Sequence, residues 1–139
     1  MWSFQHEQTT TATREQVWAL WSDPANWPKW DATLESVQFD GPFESGTFGR
    51  LKPIKAKEIA LELLDVEPLH SFVDIQLLPS AKMHTYHRIM GTDDGGLKVV
   101  QTVHFTGTLG RVFSFVIGRG LKRDMPVAIS ELIALAEAS

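Results

Sequence analysis

Cysteine is missing from this 139-residue chain, which excludes disulfides, iron–sulfur clusters, thiolate zinc sites and cysteine nucleophiles together. Positive charge is scarce as well. Thirteen Lys and Arg against 17 Asp and Glu leave a formal net charge of -4, so no general field favours a nucleic-acid backbone, and nucleic acid is not an expected partner. Long hydrophobic runs are also lacking. The longest uncharged apolar stretch near the C-terminus, VFSFVIG, falls far below the roughly 20 residues of a bilayer span, and stable membrane insertion is not expected. The opening MWSFQHEQTTTATREQ has no basic segment followed by an apolar one, so the expected location is cytoplasmic. Tyrosine occurs once, against five Trp and eight Phe.

At 43% hydrophobic and 22% charged residues, the remaining composition is that of a folded chain with material for one core, expected as a single domain over residues 1–139. Alternation of Trp2, Phe4 and His6 with polar neighbours predicts a first strand. Thr13 with Gln16 has the spacing of a capping box ahead of a short helix carrying Val17, Leu20 and Trp21. Asp23-Pro24 marks a second helix start, with Asp as the cap and the helix over 26–30. From about residue 35 to 105, turn residues divide short apolar runs into six strands. From 109 to 137 the period becomes helical, with Phe113, Ile117, Leu121, Met125, Ala128, Leu132 and Leu135 on one stripe. Pro126 should kink that helix without ending it. One sheet needs a cover for its apolar face, and only the last helix is long enough, so a gap between helix and sheet is expected.

The stretches TREQVWALWSDPANWPKWD at 13–31, VQFDGPFESGTFGRLKP at 37–53 and 99–138 resemble the START-like, or helix-grip, superfamily, and within it the polyketide cyclase/dehydrase-like group. The resemblance covers essentially the whole chain. It implies an α+β helix-grip fold, with a curved antiparallel sheet of about seven strands wrapped around a long C-terminal helix and two short helices after the first strand. It also implies an internal cavity. The expected occupant is a hydrophobic or amphipathic small molecule such as a lipid, polyketide or aromatic metabolite. A cyclase or dehydratase and an interaction subunit with a filled cavity are the alternatives.

The candidate site residues come from one hairpin. A turn centred between Asp93 and Asp94 sets His84 across from Val103 and Tyr86 across from Gln101, which puts His84, Tyr86, Arg88 and Gln101 on the covered face. Ligand contacts are then expected from Tyr86, Arg88, Gln101, Val103 and Phe105, with Phe113, Ile117 and Leu121 from the helix. Arg88 would hold a carboxylate or enolate, and in an enzyme His84 or Tyr86 would move the proton. A one-residue bulge would turn Met83, Thr85 and His87 inward instead. His84 and His87, three apart on a strand, point to opposite faces and do not form a chelate, so no metal is expected. Four glycines within 107–120 match no phosphate loop, so no cofactor is expected. Trp18, Trp21, Trp27 and Trp30 read as packing anchors, with Trp27 or Trp30 also able to border the cavity, and GPFESG at 41–46 reads as a loop near its entrance. Arg111, Arg119, Lys122 and Arg123, beside Val112 and Phe115, read either as a solvated helix side or as a weak contact for an anionic surface. A monomer or homodimer is expected.

Overall fold

The computed structural model describes residues 2–139. Strand β1 (Ser3–Thr10) is followed by helix α1 (Arg14–Trp21) and a 3-10 helix (Pro24–Lys29). Six strands come next: β2 (Leu34–Phe39), β3 (Phe48–Pro53), β4 (Ile59–Glu67), β5 (Ser71–Leu78), β6 (Ala81–Gly91) and β7 (Leu97–Thr106). Helix α2 (Gly110–Ala138) closes the chain. All strands join one antiparallel sheet in the order β1-β7-β6-β5-β4-β3-β2, a meander from β2 to β7 that β1 extends beyond β7. The helix-grip architecture expected from the sequence is the one observed.

Local signals account for most elements. The Thr13 side chain accepts from the Gln16 backbone N–H at 3.1 Å, and the Gln16 side chain accepts from the Thr13 N–H at 2.8 Å, completing the capping box of α1. The second helix differs from expectation. Its six residues form a 3-10 turn rather than an α-helix, with Pro24 at its start and Pro28 inside it. Asp23 makes no side-chain cap bond and instead accepts from the Asn26 side chain. Helix α2 continues through Pro126.

The buried side of α2 is turned relative to the expected stripe. In its C-terminal half Met125, Ala128, Ile129, Leu132, Ile133 and Ala136 enter the core. In its N-terminal half the buried positions are the small Gly110, Ser114 and Gly118, while Phe113, Ile117 and Leu121 are half-buried against the core edge. Leu135 is exposed. Gly118 explains the closeness, since a Cβ there would lie 2.8 Å from the Trp2 ring.

Helix α2 packs on β1, β7, β6 and α1, whereas the 3-10 helix packs on β2. Between these two covers an aromatic cluster fills the sheet face: Phe72 stacks with Trp27 at 6.0 Å and meets Trp21 and Phe43 edge-on at 5.3 and 5.1 Å. The 41–46 loop therefore contributes Phe43 to this packing. Neither cover spans the whole sheet, and a space remains where they meet.

Candidate functional site

That space is a cavity of about 380 Å³. The sheet supplies Asp74 and Gln76 from β5, Met83, Thr85 and His87 from β6, and Gln101 and Val103 from β7. Trp27, Trp30 and Asp31 enter from the 3-10 helix and the residues after it. Helix α2 adds a mostly apolar wall including Val116, Ile117, Leu121 and Met125, with Asp124 among them.

The β6–β7 register decides which side chains reach it. His84 pairs with His104, Thr85 with Val103, Tyr86 with Thr102, and His87 with Gln101, one residue away from the expected pairing. The reason lies in the turn. The Thr92 N–H donates to the Gly96 carbonyl at 2.9 Å, which leaves a three-residue loop with Gly95 at φ 86° in the left-handed region. Asp94 stabilises it by accepting from the Thr92 hydroxyl and from the Gly96 N–H. A three-residue loop makes opposed residue numbers sum to an even value, and on a period-2 strand that one-residue difference reverses the faces of β6 relative to β7.

The expected cluster is accordingly divided. Gln101, Val103, Ile117 and Leu121 line the cavity. His84, Tyr86 and Arg88 lie on the outer face of β6, away from the cavity side that Met83, Thr85 and His87 share. Phe105 is buried beside the cavity against Trp2, with ring centroids 5.6 Å apart, and Phe113 is half-buried at the core edge; neither lines the space. The inward residues are those that a bulge was expected to expose, but the turn produces them without any bulge in the β6–β7 pairing.

The inner polar groups form a connected set. Asp74 pairs with Thr85 and Phe72 with His87, so Asp74 and His87 are diagonal neighbours on the inner face. His87 Nε2 lies 2.7 Å from Asp74 Oδ2, and both side chains are 6% exposed. An ionised carboxylate only accepts, so Nε2 carries the hydrogen. The imidazole is clamped by Phe72, parallel at 4.2 Å and 7°, and by Trp21 edge-on at 5.7 Å. His87 Nδ1 and Trp30 Nε1 are buried with no partner among the described residues.

Asp31 faces the same space. Burial, first, pushes its carboxyl above the ordinary aspartate value, and the neighbouring Asp124 charge pushes the same way. Hydrogen bonds from the Thr33 hydroxyl at 2.6 Å and the Thr33 N–H at 3.0 Å oppose the shift, as does His87. Asp124 itself is held below the ordinary range by its two bonds from the exposed Arg123 guanidinium, at 2.9 and 3.0 Å. Among the described residues lining the cavity, none is Lys or Arg. The described residues contain no group of three or more His, Asp or Glu side chains placed to hold a metal.

Asp31, Asp74, Gln76 and Asp124 were not singled out by sequence. In SFVDIQLL, Asp74 and Gln76 alternate with Val73, Ile75 and Leu77, and alternation alone assigns the polar set to solvent. The structure inverts this. Val73 and Ile75 occupy the outer face yet are buried by their cross-strand neighbours, while Asp74 faces the cavity. The available signal was a lone acid within a strand beside a histidine-bearing strand.

A family model described as polyketide cyclase / dehydrase and lipid transport matches residues 1–137. No curated protein sequence matches the chain significantly. Among solved structures, the fold is similar to the Zhui aromatase/cyclase from Streptomyces sp. R1128, with a TM-score of 0.79 and 16% identity over 98% of this chain and 93% of that one. It is also similar to a protein from Mesorhizobium loti (TM-score 0.77, 16% identity, 99% and 98% of the two chains). A third likeness is to a protein from Thermus thermophilus (TM-score 0.74, 14% identity, 98% and 97%). At such identities the structural likeness is one of fold.

Proposed function

The chain belongs to the polyketide cyclase / dehydrase and lipid transport family, and we propose that its cavity binds the apolar body of an amphipathic small molecule whose polar end is neutral or cationic. The observation that carries this reading is the 380 Å³ space itself, with apolar walls from α2 and the sheet and a polar group built around Asp31, Asp74 and His87. Three aspartates and no Lys or Arg line it, so a buried anionic head would meet like charge and lack a partner.

Trp27 and Trp30 line the cavity and report occupancy through their fluorescence. Titration with dodecanol and dodecanoate, equal in chain length, should favour the alcohol by roughly tenfold or more. Leu121→Trp should abolish binding with little change in melting temperature, because Leu121 is a half-buried cavity wall with space beside it. Equal affinity for both probes would overturn the charge assignment, and no binding of either would overturn the reading.

One observation favours a second reading, acid–base cyclisation or dehydration. A buried imidazole whose Nε2–H is held by a carboxylate keeps Nδ1, in the neutral ring, as a proton acceptor. His87, rather than His84 or Tyr86, would then take the proton. On that reading His87→Gln abolishes turnover of a bound carbonyl substrate while its affinity persists.

A further inference from the structure

The N-terminal half of α2 presents to solvent side chains that a water-facing helix ordinarily hides. Phe115 is 85% exposed, Val116 68% and Val112 53%. The same stretch carries Arg111, Arg119, Lys122 and Arg123, all exposed, in a chain whose net charge is -4. At 3.6 residues per turn, these three apolar and four basic side chains fall within one arc of about 140°. No acidic residue occurs between 111 and 123, and Asp124, which pairs with Arg123, lies outside the arc.

We propose that this arc is a docking surface for an anionic lipid bilayer, on which α2 lies in the interface plane. Apolar and basic side chains sharing one face is the arrangement of an interfacial helix, whose aromatic and aliphatic groups enter the acyl boundary while cations meet the headgroups. No described helix is long and apolar enough to cross a membrane, so the contact is peripheral. A second copy of the chain fits the surface poorly, because symmetric pairing would bring two sets of the same cations together. Val116 links the surface to the cavity: it is largely exposed and also lines the space, so the mouth opens beside the docked face. This goes beyond the binding reading and stands without it.

The test is co-sedimentation of the full chain with phosphatidylcholine vesicles, plain or containing about one-third phosphatidylserine. Retention on the anionic vesicles should exceed that on plain ones by roughly tenfold and fall with added salt. Phe115→Ser should remove most of it, as should Arg119→Glu combined with Lys122→Glu; these exposed positions leave the fold intact. Equal retention on both vesicles, or indifference to Phe115→Ser, would overturn the proposal. So would a concentration-dependent dimer, seen by sedimentation velocity, that Phe115→Ser disperses, or binding of poly-glutamate in place of vesicles. Docking lost while dodecanol still binds sinks this inference alone, and docking kept while neither fatty probe binds sinks only the cavity reading.

Discussion

Two histidines three residues apart on β6 meet opposite surroundings. His87 is buried on the inner face against Asp74, clamped between Phe72 and Trp21. His84, on the outer face, stacks on His104 at 4.5 Å and shares a 2.9 Å hydrogen bond with the Thr106 hydroxyl, while Tyr86 stacks on the same His104 at 5.4 Å. The residue type and the strand are the same. Their odd spacing sets them on opposite faces, and the pairing register fixed by the three-residue loop after β6 decides that His87 is the inward one.

The largest test of that contrast is His87→Ala against His84→Ala. Removing His87 leaves the Asp74 carboxylate buried and unpaired, which costs about 3–5 kcal/mol and should lower the melting temperature by about 10 °C or more. Removing His84 gives up a surface stack and one hydrogen bond and should cost about 1 kcal/mol or less. Comparable losses in thermal unfolding would show that the two faces do not differ as described.

A smaller effect comes from the cavity side. The raised Asp31 carboxyl binds its proton more readily folded than unfolded, so its contribution to stability is fully present below the ordinary aspartate value and is lost as pH rises through the raised one. Asp31→Asn carries no such loss. It should raise the melting temperature at neutral pH, an advantage that disappears in acid. A gain that is the same at every pH would remove burial as the cause.

The smallest effect is on the outer ladder. Burial, first, and then the neighbouring His104 and Lys82 lower the proton affinity of His84. Its contribution to stability is present above the ordinary histidine value and fades as pH falls through the lowered one. Titration followed by NMR should place His84 below a free histidine, and His104→Gln should bring it only part of the way back, because the larger cause remains. A His84 midpoint at or above the free value would contradict the outer-face geometry.

The elements themselves were legible in the amino-acid sequence because their signals are local. The Thr13–Gln16 box, the turn residues between strands and the long helical period act within one or two turns, and the resemblance carried by the tryptophan-rich stretch at 13–31 implied how they assemble. Val103, Gln101, Ile117 and Leu121 line the cavity, each belonging to a regular pattern on an element that must cover another. His87, Asp74 and Asp31 were decided by tertiary structure. A strand's inner and outer sets exchange with one residue of loop length, a difference of one amide that neither composition nor alternation registers. Likewise, the close approach of Gly118 to the Trp2 ring belongs to tertiary structure, and with it the half-burial of Phe113 at the core edge, because the face that a helix buries depends on how near its partner lets it come.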